Sequence, residues 1–383
     1  MHTLFRFARK IIISLLAIYL LLFGVTRIIH YPEPIAAIRL GIAPASKTPT
    51  LMPFHIVTPA ANPITWQKSI EAMPSKIDWS GKPLLWADFL AKTSTNAFLV
   101  IRNGVITYEW YSKSTTAHTK LPSYSVAKTL TSIMIGQLIA AGKISEDDSF
   151  VKFFPQYKTG GDFDKVTIRT LLDMQAGVAV SDNYPTGPAG WGVAIAQMYA
   201  TTDLNYFMQH NRKMSWAPGT QSEYRSVDTQ MLGFIIKKVT GQRIVDYFSK
   251  NIWQPIGAED SAFWNVDHLG GLEKTFCCFN ATTRDYARVG QLILNGNPHL
   301  ISAKWLDRLT KPVTTLDHGW GYGAQVWHPY TGVTMLLGLH GQYIYVHPST
   351  QTVIVKLSDE PTDSGKNEEL TVAVLQSLVS AKL

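Results

Sequence analysis

The chain is short of charge, of cysteine and of metal-ligand patterns. Only 16% of its 383 residues are charged, against 46% hydrophobic. A large core is therefore expected, and extended disorder is excluded over most of the length. The net charge of +7 is concentrated at one end: Arg6, Arg9, Lys10 and Arg27 account for four of the seven. The remainder is too small for a nucleic-acid-binding surface, and no basic run interleaved with aromatics occurs elsewhere. The two cysteines, Cys277 and Cys278, are adjacent. They build no disulfide framework and no zinc spacing, and neighbouring cysteines bridge only through a strained ring, so both read as small buried residues. The 11 histidines form no HExxH or HxH pattern, so no metal and no cofactor is called for. No GxSxG elbow, internal repeat or low-complexity tract is present.

What the chain does have begins at its N-terminus. Arg6, Arg9 and Lys10 precede an uncharged apolar run over residues 11–25. A basic flank followed by an apolar stretch marks a targeting segment. No small-residue cleavage site follows promptly, so residues 1–30 are expected to be an uncleaved signal-anchor with the N-terminus inside. The globular body would then stand in the periplasm on a single inner-membrane span, or be secreted if the segment is removed. Seven prolines between residues 31 and 63 suggest an extended stem, with residues 31–80 leading into the body.

Beyond that point strands frame a helical middle. Residues 97–102 and 105–111 are strand-like and are joined by Asn103-Gly104, a strong hairpin signal. Helical patterns occupy 167–175, 192–209, 228–240 and 284–295. Strands return at 324–328, 333–338, 343–347 and 352–358, and a closing helix covers 368–383. Segregation of this kind predicts an α+β fold. An antiparallel sheet is closed by N- and C-terminal segments with flanking helices, and a mostly helical subdomain is inserted at about residues 130–315. The body spans residues 81–383.

The chemistry centres on Ser125-Val126-Ala127-Lys128, which opens an apolar helix. Residues three apart on a helix share a face. A serine hydroxyl needs an adjacent base, and a lysine can be one when desolvation depresses its pKa. Unpaired amides of the first helical turn can stabilise an oxyanion. The competing reading is a helix-start serine with a solvated lysine. Ser149-Phe150-Val151-Lys152 repeats the spacing but runs into Pro155, which stops any long helix.

Pro218 to Gly233 contains Tyr224-Arg225-Ser226 just ahead of a helix. In this order the two motifs resemble the serine β-lactamase and penicillin-binding-protein family, more narrowly its class C-like hydrolases and esterases, including those acting on nylon oligomers. The resemblance covers roughly residues 80–383. It implies a β-lactamase/transpeptidase-like fold and a Ser125 acyl-enzyme, with Lys128 and Tyr224 sharing the serine proton as an ammonium–phenolate pair. The segment 338–342, Gly-Leu-His-Gly-Gln, matches the family's late Lys-Thr-Gly strand in degenerate form. It implies backbone oxyanion donors at Ser125 and Gln342, with His340 and Gly341 beside the substrate. The run from Cys277 to Arg288 matches a family loop entering a helix. Lys158-Thr159-Gly160 is a literal match in the wrong place. Ser181-Asp182-Asn183 matches a class A motif, or aligns Asp182-Asn183-Tyr184 with an acidic-x-Tyr loop whose tyrosine, here Tyr184, contacts the substrate.

Leu339 stands where the family's carboxylate-binding lysine would be, which argues against β-lactams and D,D-peptides. Trp264, Trp320, Tyr322, Trp327 and Tyr343 either rim the site or pack in the core, and core packing is favoured. The expectation is a serine hydrolase of small-molecule esters or linear amides, attached to the membrane through its N-terminal segment. The alternatives are a peptidoglycan-directed D,D-peptidase or a non-catalytic ligand-binding member of the fold. Nothing in the sequence bears on oligomeric state.

Overall fold

The structure is a computed structural model describing residues 2–182, 193–361 and 365–380. Its centre is a nine-stranded sheet. In spatial order the strands are Thr314–Thr315, Gly321–Gly323, Val326–His328, Thr334–Gly338, Gln342–His347, Thr352–Ser358, Thr95–Arg102, Val105–Tyr111 and Gln67–Lys68. Neighbours pair antiparallel except the last two, which are parallel. The C-terminal strand Thr352–Ser358 lies against the N-terminal strand Thr95–Arg102, so the chain's two ends close one sheet around the inserted helices. This is the α+β arrangement expected. Asn103 and Gly104 both take positive φ, 50° and 78°, as a two-residue hairpin turn of this kind requires.

Both faces of the sheet are buried, and the period-2 alternation of a strand decides what each side chain meets. Leu99, Ile101, Ile344, Val346, Val353 and Val355 join the larger core, which includes Tyr286 and Val289 of the helix Thr283–Asn295. Phe98, Val100, Tyr343, Tyr345 and Ile354 join a second core with Val372, Leu375 and Leu378 of the closing helix Gly365–Ser380. A helix therefore covers each face. Gly290 sets how near the inner helix can come: a Cβ there would stand 2.5 Å from Val353 Cγ1 and 2.9 Å from Ile344 Cγ2.

Two expectations need correction. The proline-rich segment is not an extended stem. It forms the helix Pro34–Ile42, a 3-10 turn Ala45–Leu51 and the strand Phe54–Val57. That strand pairs with Ala262–Asn265 in a four-stranded sheet. Proline starts a helix as readily as it prevents one: Pro34 occupies the first turn, and Glu33 caps it by accepting from Ile35 N and Ala36 N. Leu40, Thr48 and Val57 are buried, and Asn265 Nδ2 donates to the Pro49 carbonyl at 2.9 Å. The second correction concerns Cys277 and Cys278, which are buried as expected but joined in a vicinal disulfide. Cys278 has a φ of 70°, a local conformation that sequence spacing does not disclose.

At the N-terminus a single helix runs from His2 to Ile28. Its stretch Phe5–Ile28 meets the length and hydropathy that a membrane span needs, as a signal sequence in this position also would.

Replacing Gly290 by alanine is expected to lower stability by about 1–3 kcal/mol through overpacking. The better helix propensity of alanine, about 1 kcal/mol, does not offset this. A denaturant midpoint at or above that of the wild type would show that the helix–sheet contact is looser than described.

Candidate active site

Ser125 stands at the start of the helix Val126–Ala140, with φ −67° and ψ −6°. The preceding Tyr124 has a φ of 41°, an uncommon conformation for a non-glycine residue. It is held from two sides. The Tyr124 hydroxyl lies 3.2 Å from Thr48 Oγ1 of the N-terminal segment, and its ring meets that of His340 edge-on at 4.8 Å. The sharp turn turns the serine out of the strand Leu121–Pro122 and onto the helix start.

Lys128 lies one turn on and is 1% exposed. Its Nζ donates to Ser125 Oγ at 3.1 Å, to Ser226 Oγ at 2.8 Å and to the Phe276 carbonyl at 2.8 Å. An ammonium has three protons, and here three acceptors meet them, none of them charged. Burial brings the lysine's pKa down to about 8, against the opposing charges of Asp182 and Asp228. The solvated-lysine reading of this spacing is therefore wrong for Lys128. It is right for Lys152, which is 59% exposed and pairs with Asp148.

Tyr224 reaches Ser125 with its hydroxyl. Its ring stacks on Trp327 at 5.4 Å and meets Tyr322 edge-on at 5.9 Å. Lys128 Nζ lies 5.1 Å from the Tyr224 ring centroid. Burial, followed by the charge of Asp182, drives the phenol well above its ordinary pKa, and the bond to Ser125 lowers it only in part. This corrects the ammonium–phenolate pair: the phenol stays neutral, because desolvation disfavours its anion more than the nearby groups favour it. Trp327 and Tyr322 position this ring. Trp264, Trp320 and Tyr343 are buried, as core packing would have them.

The late hairpin approaches Ser125 through Gly338. A Cβ on Gly338 would stand 2.3 Å from the Ser123 carbonyl and 3.1 Å from Ser125 N, so only glycine allows this contact. Gln342 pairs with Gly338 across the hairpin. Its side chain holds the turn by donating to the carbonyls of Leu339, His340 and Ser358. His340, with a φ of 64°, is half-buried, and its Nδ1 lies 2.7 Å from the Glu360 carbonyl. That contact makes Nδ1 the protonated nitrogen. Gly341 has a φ of 77°, a backbone conformation that side chains rarely adopt and that this turn imposes. Leu339 is 42% exposed. Tyr184 lies outside the described residues.

Ser226 and the Phe276 carbonyl complete the lysine's shell, and neither was singled out from the sequence. Ser226 is the third residue of the Tyr-x-Ser motif. The Phe276 carbonyl has no sequence signature, because any residue carries one. Arg225 points away from the serine: it donates to the Val178 carbonyl, to Ser215 Oγ and to Glu223 Oε2, with its guanidinium over Trp216. Lys158-Thr159-Gly160 is a surface turn bound to Asp164.

The Ser125 hydroxyl thus stands beside a buried amine of lowered pKa at a helix start, with Gly338 close by. The sequence profile of the beta-lactamase family matches residues 87–378, and the chain belongs to that family. It is 28% identical over 299 residues to the 6-aminohexanoate-dimer hydrolase of Paenarthrobacter ureafaciens, covering 71% of this chain and 74% of that one. It is 25% identical over 135 residues to the "putative D-alanyl-D-alanine carboxypeptidase" of Escherichia coli K12, covering 35% of this chain and 31% of that one. The solved "putative 6-aminohexanoate-dimer hydrolase" from Bacillus anthracis superposes with a TM-score of 0.77 at 24% identity, over 91% of this chain and 94% of that one. The protein is thus a hydrolase of the beta-lactamase family.

Substituting Gly338 by alanine is expected to slow modification of Ser125 by a fluorophosphonate roughly tenfold or more, because displacing a reacting group by a fraction of an ångström is costly. Labelling at the wild-type rate would show that the hairpin does not set the serine's position.

Proposed function

We propose that the protein hydrolyses an ester or a linear amide of a small molecule through an acyl-enzyme on Ser125. The observation that carries this reading is the buried Lys128, held against Ser125 Oγ with its pKa brought down to about 8. A neutral lysine accepts the serine proton as Ser125 attacks the acyl carbon. The tetrahedral oxyanion is met by the Ser125 amide and by a second amide of the 338–342 hairpin. Gln342 is the second donor that the sequence assigns. The Gly338 contact favours Leu339, whose nitrogen is bonded to the glycine that touches Ser125. The proton on Lys128 then returns to the leaving group by way of the neutral Tyr224 hydroxyl. Water repeats the sequence on the acyl-enzyme and frees the acid. His340 and Gly341 would border the acyl group.

The substrate class follows from Leu339. A cation in that position would meet a carboxylate, and an exposed leucine offers apolar contact instead. The 6-aminohexanoate-dimer hydrolase likeness supports amide or ester cleavage. The carboxypeptidase likeness over 135 residues favours a second reading, a wall-directed peptidase. In either case the N-terminal helix would hold the body at the periplasmic face of the inner membrane.

Wild type and Ser125→Ala, incubated with p-nitrophenyl butyrate and separately with benzylpenicillin, divide these readings. Ester turnover by the wild type alone, with no lasting penicillin adduct by intact mass, is the expected result. A stable adduct on Ser125 would favour the peptidase, and equal behaviour of the two proteins would remove Ser125 as nucleophile. Turnover at low substrate should rise with pH through a midpoint of about 8, since Lys128 is a base only once deprotonated. A flat profile across that region would exclude Lys128 from this role.

A further inference from the structure

The hydrogen-bond chain that begins at Ser125 does not end at Ser226. Ser226 Oγ accepts from Lys128 Nζ at 2.8 Å and donates to Asp182 Oδ2 at 2.5 Å. Asp182 Oδ1 accepts from Ser226 N at 2.7 Å. The carboxylate therefore fixes both the backbone and the hydroxyl of Ser226 and leaves the hydroxyl's lone pairs turned toward the lysine. Asp182 is itself held in place. Its neighbour Ser181 donates to Glu223 Oε1 at 2.6 Å, and Arg225 joins Glu223 to the Val178 carbonyl.

This arrangement lies between two simpler ones. A carboxylate in direct contact with Lys128 would keep it protonated far above neutral pH. With no carboxylate nearby, hydrogen bonds to neutral groups alone would offset the ammonium's burial. One interposed hydroxyl moderates the attraction.

The other charged and titratable groups facing this cluster leave the matter to Asp182. On the helix Ser226–Thr240, burial drives Asp228 well above the carboxylate range, and its pull on Lys128 is smaller than that of Asp182. On the Tyr-x-Ser turn, Arg225 is engaged by Glu223 at 2.9 Å. Tyr224, and Tyr322 across from it on the strand Gly321–Gly323, are both pushed up by burial and remain neutral phenols. The segment before the cysteine pair offers Lys128 the Phe276 carbonyl and, at 5.6 Å, the Phe276 ring, neither of them charged. Its Glu273 pairs with His55, and its Lys274 points to the carbonyls of Tyr199 and Thr201. Of the charges that raise the lysine's pKa against its burial, Asp182 is the largest; burial raises Asp182's own pKa, and Lys128 and the two bonds from Ser226 oppose that rise.

We infer that Asp182 is a positioning residue of this site, which acts through the Ser226 hydroxyl to orient the lysine's shell and to govern when Lys128 releases its proton and becomes the base. The inference rests on the serine-hydrolase reading and adds to it the residue that tunes the base. The literal Ser181-Asp182-Asn183 match therefore marks a residue of the active-site network after all. Its place is in the lysine's second layer of contacts, away from the scissile bond.

The test follows the rate of Ser125 labelling by a fluorophosphonate as a function of pH, in the full chain in detergent, with Ser125→Ala as the blank. Such a probe reports serine activation without the natural substrate. In the wild type the labelling rate should rise through a midpoint near 8. In Asp182→Asn the raising charge is gone, so the midpoint should fall by about one unit. A midpoint that stays or rises, or a uniform loss of rate with no shift, would overturn the inference and leave the hydrolase reading intact. Absence of labelling on Ser125 in the wild type would overturn the hydrolase reading itself. Asp182→Ser is a second neutral replacement with less bulk. If neither variant folds, Asp182 belongs to the fold and the inference fails.

Discussion

A lysine ammonium taken out of water is the constraint around which this molecule is arranged. Burying a charge costs several kcal/mol unless hydrogen bonds replace its hydration. The replacements for Lys128 come from separate parts of the chain: Ser125 one turn away, Ser226 98 residues on and the Phe276 carbonyl 148 residues on. Those three can meet only if the Ser125 helix, the Tyr-x-Ser turn and the loop before the cysteine pair are all in place. Assembly of the site and completion of the fold are thus one event. The same burial that makes the lysine expensive is what lowers its pKa into a useful range.

The rest of the structure serves to hold that cluster at the edge of a rigid sheet. Residues with positive φ gather around it, at Tyr124, Cys278, His340 and Gly341. Backbone of this kind persists only where its surroundings over-determine it. Here the surroundings include the N-terminal segment: Thr48 meets Tyr124, and Ser46 donates to Asp359 close to the His340 turn. The polypeptide that leaves the N-terminal helix therefore forms a wall next to the serine instead of a tether. The N-terminal helix and the surroundings of Ser125 are joined by packed structure, which a flexible stem would not provide.

How much of this could be read in advance depended on how local each signal was. The Asn103-Gly104 hairpin, the C-terminal strands and the Ser125–Lys128 spacing each lie within a few residues, and each is found where the pattern puts it. Proline density misled, because proline at a helix's first turn and proline in an extended chain have the same composition. The vicinal disulfide depends on a backbone angle that spacing does not carry. Tyr224 was named from its motif, but the burial that disfavours its phenolate was not legible, since it follows from how Trp327 and Tyr322 enclose the ring. Asp182 had a literal motif around it, yet only the fold shows its carboxylate turned to Ser226. Gly338 was overlooked because a glycine's function here is the side chain it does not have.

The central claim, that Lys128 is a buried amine able to lose its proton near neutrality, is open to direct observation. Lysine labelled with ¹³C at the ε position, with Lys128 assigned by comparison with Lys128→Arg, reports its own titration by NMR without any substrate. The account predicts a Cε shift that titrates with a midpoint of about 8, well below that of exposed lysines at about 10.4. A midpoint among those of the exposed lysines would contradict it, because Lys128 would then be an ammonium throughout the range in which the protein is asked to work.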